Sequence, residues 1–119
     1  MAHSYGSIDD MGDGVFRKVR RELGVTAYGD NALVLAPGVV SRPHYHDEQD
    51  ELYFVNRGRA QFDVAGERFE LGPGGVAHVE STTPRRITSV GEEDLVLLVV
   101  GAKDGYVGRD GRPAEPDAF

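Results

Sequence analysis

The 119-residue chain has no cysteine, which removes both a disulfide framework and any thiolate metal site. Long apolar runs are missing too. The longest, Leu95 to Val100, is far shorter than the roughly 20 residues a membrane-spanning helix needs. The first ten residues, MAHSYGSIDD, have neither the basic region nor the apolar segment of a secretory signal. A soluble, cytoplasmic chain is therefore expected. Basic charge is in short supply: 13 Lys and Arg face 20 Asp and Glu, for a formal net charge of −7. Nucleic acid and anionic membrane are both bound through basic surfaces, so neither is the expected partner. The basic residues do cluster, at Arg17, Lys18, Arg20 and Arg21 and again at Arg85 and Arg86. A solvated face is the ordinary reading of such clusters, and an anion pocket is the sharper one for Arg85.

Helical periodicity is equally scarce. Residues 1–14 read as a polar, weakly ordered arm. Val15, Phe16, Val19 and Leu23 fit a helix or an edge strand, and their spacing does not choose. Beyond them the chain reads as strand and turn. VTAYGDNALVLA stops at Pro37-Gly38, and LYFVN ends before Gly58. RAQFDVAGERFEL alternates about a turn at Ala65-Gly66, and GPGG precedes the short strand VAHV. RITSV and LVLLVV follow, the latter apolar on both faces, as suits a strand inside the structure. Residues 102–119 are rich in Gly, Asp and Pro and are expected to wrap the surface or fray. Seven or eight short strands with closely spaced turns indicate a single all-β domain, a sandwich or barrel with its core over about 25–101.

Within GVVSRPHYHDEQDELYFVNRG, residues 38–58, His44 and His46 are two apart, so on a strand they share a face. Glu51 opens the next strand and shares its face with Tyr53 and Val55. A four-residue turn, DEQD, lets that strand fold back beside the first. Two imidazoles and one carboxylate then converge, the donor set of a facial triad suited to iron, manganese, nickel, copper or zinc. A lone histidine is more often packed or solvated, but here three donors must be taken together.

The spacing Gly38, five residues, His44-x-His46, four residues, Glu51, six residues, Gly58 resembles the first motif of the cupin superfamily. ELGPGGVAHVESTTPRRITSV resembles its second, and the likeness runs over roughly residues 30–100. The resemblance implies an all-β double-stranded β-helix, the cupin jelly-roll barrel. It also implies a divalent transition metal on His44, His46 and Glu51, and a homodimer paired through an edge strand and exchanged N-terminal arms. The second motif departs from the family at three places. Gly75 stands where Asp is usual, Glu80 where a turn proline is usual, and Arg85 at the position of the fourth, histidine, ligand. A guanidinium has no lone pair to give a metal.

Three accounts of the site remain open. In the first, three ligands hold the metal while Arg85 grips an anionic group of a small-molecule ligand. In the second, the metal is lost, Arg85 pairs with Glu51, and the barrel binds an organic acid or sugar. In the third, His78 supplies the missing ligand. Arg85, His78 and Tyr53 are accordingly the expected ligand-binding residues. A metal-dependent dioxygenase or an isomerase/epimerase and a metal-free sensor are the rival functions, because fold alone does not select one.

Overall fold

Alternation of apolar and polar side chains sets most of the strands, since neighbouring residues of a strand face opposite ways. The computed structural model describes residues 2–115, 118 and 119. In chain order the strands are β1 Phe16–Arg17, β2 Gly29–Leu35, β3 His44–His46, β4 Asp50–Arg57, β5 Ala60–Val64, β6 Glu67–Leu71, β7 Val76–Val79, β8 Arg85–Ser89, β9 Leu95–Ala102 and β10 Gly111–Pro113. They form two five-stranded antiparallel sheets, ordered β1-β2-β9-β4-β7 and β10-β3-β8-β5-β6. Strands β2 to β9 correspond to the seven or eight short strands expected from the sequence.

The hairpin joining β5 and β6 turns at Ala65 and Gly66, whose φ angles are 48° and 88°. Positive φ at both central residues is the turn that matches strand twist. Strand β9 lies at the centre of its sheet, between β2 and β4. Leu95, Leu97 and Val99 point to the core with Leu35, Tyr53, Val55, Phe62 and Ile87. Phe62 stacks on Phe69 with ring centroids 5.1 Å apart and meets Tyr53 edge-on at 5.6 Å. Each such aromatic pair adds about 0.5–1.5 kcal/mol beyond the area it buries.

Three expectations are revised. Residues 15–23 are neither helix nor strand alone: β1 pairs with β2, and a five-residue helix, α1 Val19–Leu23, follows it. That helix stops at Gly24, in the left-handed region with φ 71°. The preceding arm packs on its own barrel rather than hanging loose. It forms a 3-10 turn at Ile8–Asp10, and its Ile8 and Gly14 carbonyls accept from the Arg17 guanidinium. Together with Asn56, Arg57 and Val96, residues 6–9 wall a cleft of about 310 Å³ on the outer face of the first sheet. Finally, the expected surface tail supplies β10, which pairs with β3.

Gly38 and Gly58, the two ends of the histidine-bearing segment, both have φ 84°. Their surroundings differ. A Cβ on Gly58 would lie 2.5 Å from the Asp94 carbonyl oxygen and 2.8 Å from Leu95 Cα, both backbone atoms, whereas one on Gly38 meets nothing within 4 Å. Gly38→Ala is expected to cost only the left-handed backbone penalty, about 1 kcal/mol. Gly58→Ala adds a backbone clash and is expected to cost about 3 kcal/mol or more. Urea unfolding of the two variants side by side checks the difference, and equal losses would refute it.

Candidate metal centre

Strand β3 presents His44 and His46 to the barrel interior, with Tyr45 between them facing the other way. Their rings meet edge-on, centroids 5.0 Å apart. Strand β4 brings Glu51 inward on the face shared with Tyr53 and Val55, as its alternation requires. The two strands are not hairpin neighbours, however. β3 and β4 belong to opposite sheets, and residues 47–49 cross the end of the barrel between them. The three side chains thus converge across the interior instead of side by side along one sheet. His46 Nε2 is 3.1 Å and His44 Nε2 3.7 Å from Glu51 Oε1. One ligand atom from each residue fits within a span of 4.8 Å.

Both imidazoles are oriented from behind. His44 Nδ1 lies 3.0 Å from the Arg42 carbonyl oxygen, and His46 Nδ1 lies 2.7 Å from Asp110 Oδ1. A carbonyl or carboxylate oxygen only accepts, so each Nδ1 carries its hydrogen and each Nε2 is the nitrogen left for the centre. His46 Nε2 is buried and has no hydrogen-bond partner among the described residues. A buried polar atom without a partner costs free energy, and a metal ion would satisfy it.

Glu51 is crowded with donors on one oxygen. Its Oε1 accepts from the Tyr53 hydroxyl at 2.6 Å and from Arg85 Nη1 at 3.0 Å. Burial alone would raise the pKa of Glu51. The neighbouring histidines and the Tyr53 hydroxyl outweigh it and hold the carboxyl well below its ordinary value. For Tyr53, burial and then the charge of Glu51 push the phenol well up, against Arg85. Burial lowers the affinity of His46 for a proton, but Glu51 and Asp110 together reverse that and raise it.

Arg85 is fully buried, and its donors are committed within the chain. Nε donates to the Thr83 carbonyl at 3.0 Å, Nη2 to the Glu80 and Ser81 carbonyls at 2.7 and 3.3 Å, and Nη1 to Glu51. The structure therefore brings Arg85 and Tyr53 to the site but turns both toward Glu51. A solvent-facing guanidinium fork, as an anion anchor needs, is not formed here. His78 is not brought to the site at all. Because Val79 pairs with inward-facing Glu51, its neighbour His78 faces out, opposite Leu52, and contacts Asp50 at 3.3 Å on the surface. Asp110 is the site residue that sequence reasoning missed. It lies 64 residues beyond His46, in a GRDGR stretch that reads as a turn, and no local pattern marks it.

The donor chemistry fits a divalent metal: two imidazole Nε2 atoms of set orientation and one ionised carboxylate, with positions left open for water or ligand. Arg85 does not join them as a ligand. It occupies the β8 position opposite His44, neutralises Glu51 and leaves three donors where a fourth would have been.

Residues 32–101 match the Cupin domain family model, which is more than half of the chain. The protein belongs to the cupin family. Among solved structures, it is similar to an uncharacterised conserved double-stranded β-helix protein of Klebsiella pneumoniae, with TM-score 0.77, 19% identity and coverage of 93% of this chain and 96% of that one. A cupin protein of Bacteroides fragilis gives TM-score 0.74 at 19% identity, covering 97% and 99%. A chain from the crystal structures of the DMSP lyases RdDddP and RnDddQII gives TM-score 0.65 at 26% identity, covering 74% of this chain and 44% of that one. An uncharacterised protein of Methanocaldococcus jannaschii is 29% identical over 55 residues, 46% of this chain. The chain spans 44% of the length of that curated relative. Among the described residues, no helix is long and apolar enough to cross a membrane.

Proposed function

We propose that this cupin binds a divalent transition metal through His44, His46 and Glu51 and uses it to hold a small anionic metabolite. The observation that carries this reading is the buried, unpartnered His46 Nε2, aimed at the Glu51 carboxylate beside a His44 likewise held through its Nδ1. Charge supports the anion. Arg85 cancels Glu51, and Asp110 offsets half of the metal's charge, so the loaded site carries a net single positive charge in a low-dielectric interior. Arg85 thereby favours an anion through the field of the site, without touching the ligand.

The bound metal would act as a Lewis acid or as a binding point for oxygen donors. Iron, manganese, nickel, copper and zinc all suit this donor set. Likeness to a DMSP lyase chain at 26% identity adds lyase chemistry to the dioxygenase and isomerase/epimerase classes that the family suggests. The metal-free alternative draws on the Arg85–Glu51 pair, which needs no ion to form.

A homodimer remains part of the proposal, through the β7 edge of the first sheet rather than through exchanged arms. The N-terminal arm is engaged on its own barrel, while Leu52, Phe54 and Val76 are exposed together on the outer face of β4 and β7. Such apolar neighbours favour a self-association face. Leu52→Asp with Phe54→Asp is expected to give a monomer in sedimentation, and a monomeric native protein at micromolar concentration would refute the dimer.

Elemental analysis tests the metal directly. Protein purified without chelators or a metal column is expected to carry about one equivalent of transition metal, lost in a His44→Ala/His46→Ala variant. No uptake after reconstitution with each of the five metals in turn would overturn the reading in favour of the metal-free alternative.

A further inference from the structure

Strand β3 carries both histidines and is shared between the barrel body and the tail. On one side His44 pairs with Arg85 of β8 and the His46 N–H donates to the Ser81 carbonyl at 2.7 Å, whereas on the other His44, Tyr45 and His46 all pair with β10. Asp110, immediately before β10, is buried and gathers the surrounding chain onto one carboxylate. Oδ1 accepts from His46 Nδ1 at 2.7 Å and from the Gln49 side-chain amide at 2.6 Å. Oδ2 accepts from the backbone N–H groups of Glu48 and Gln49 at 2.8 and 3.0 Å. The Asp110 carbonyl accepts from the Asp47 N–H at 3.1 Å. A Cβ on Gly111 would lie 3.6 Å from His46 Cε1, so the ring rests against this backbone. One residue therefore ties together the C-terminal strand, the loop that crosses to Glu51, and the orientation of His46.

We propose that Asp110 is the positioning residue of the metal centre, and that docking of residues 110–113 and metal binding are thermodynamically linked. The inference rests on the metal-binding reading above. With β10 docked, the His46 ring is held with Nε2 facing Glu51. With β10 undocked, β3 loses its pairing along one whole edge and His46 loses the acceptor that fixes its ring. The metal then meets donors it must order for itself. Linkage is reciprocal, so the factor by which the docked strand tightens metal binding is the factor by which metal favours docking.

Three measurements on the full chain test this. Cobalt(II) affinity, read by competition with a chromophoric chelator, is expected to fall about 10–100-fold in Asp110→Ala. Arg59→Ala breaks an exposed ion pair with Glu70 of β6 (2.7 Å), away from β3 and β10, and its affinity is expected to stay within about twofold of native. In the metal-free native protein, nitrogen-15 spectra are expected to place the His46 hydrogen on Nδ1, with Asp110→Ala giving mixed tautomers. Where Asp110→Ala does not fold by circular dichroism, Asp110→Asn replaces it, keeping the volume and one acceptor oxygen. Hydrogen exchange at the amides of Arg112 and Ala114, the latter donating to the Pro43 carbonyl at 3.1 Å, is expected to slow on cobalt addition in the native protein. A native protein that binds no cobalt overturns the metal reading and this linkage together. A native protein that binds, with Asp110→Ala equally tight or Arg59→Ala equally weakened, overturns the linkage alone.

Discussion

Arg85→Met is expected to lower the unfolding free energy by about 3 kcal/mol, the low end of what breaking a buried ion pair costs. Arg85 is fully buried, while the Glu51 side chain keeps 12% exposure, which tempers the penalty on the carboxylate left behind. Removing the guanidinium also strips the Thr83, Glu80 and Ser81 carbonyls of their donor. Methionine refills most of the volume, so the loss reports the polar groups rather than a cavity. For a chain of this length, the melting temperature should drop on the order of 10–15 °C. The pairing is identified by rescue. Arg85→Met/Glu51→Gln is expected to be more stable than Arg85→Met alone, because it removes the orphaned charge. A single variant within about 1 kcal/mol of native, or a double variant no better than the single, would show that the pair does not hold the barrel together.

What could be read from the sequence follows sequence separation. The alternation in β5 and β6, their Ala65-Gly66 turn and the two-sided apolar run of β9 are local patterns, and the structure reproduces them. The spacing between Gly38 and Gly58 is local as well, and it places His44, His46 and Glu51 within reach of one another. The route of the chain between them was not legible. A short loop can make a hairpin or cross between sheets, and only the partners of β3 and β4 elsewhere in the chain decide which.

The orientation of His78 fails for a similar reason. VAHV has apolar residues on both parities, so its inward face is fixed by register against β4, where Val79 meets Glu51. For Arg85, the sequence excluded metal ligation on chemical grounds but could not reveal that carbonyls of residues 80, 81 and 83 curl back to absorb its donors. Asp110 depended on a strand pairing across 64 residues, in a segment whose composition argued for no strand. Composition there describes the backbone's freedom, and it is β3's open edge that recruits it.

The second large effect is stabilisation by metal, and it separates the first two accounts of the site. A metal at 1,000 times its dissociation constant is expected to add about 4 kcal/mol to the native protein, and nothing to His46→Ala. Arg85 opposes this gain. In the metal-free fold, Glu51 Oε1 already serves Tyr53 and Arg85, and the fixed guanidinium repels the incoming cation. Unit charges 4 Å apart interact by about 4 kcal/mol at an effective dielectric constant of 20. Losing Arg85 also loosens Glu51, but the Tyr53 hydroxyl at 2.6 Å still orients it, so relief of repulsion should dominate. Arg85→Met, although less stable without metal, is therefore expected to bind at least about tenfold more tightly, worth a further 1.4 kcal/mol at fixed metal concentration. Thermal unfolding of both proteins across a metal titration measures it. Tighter binding would mean that the arginine tempers a working metal site. Weaker binding would mean that orienting Glu51 outweighs its repulsion, and no metal-dependent shift in either protein would leave the Arg85–Glu51 pair as the purpose of the arrangement.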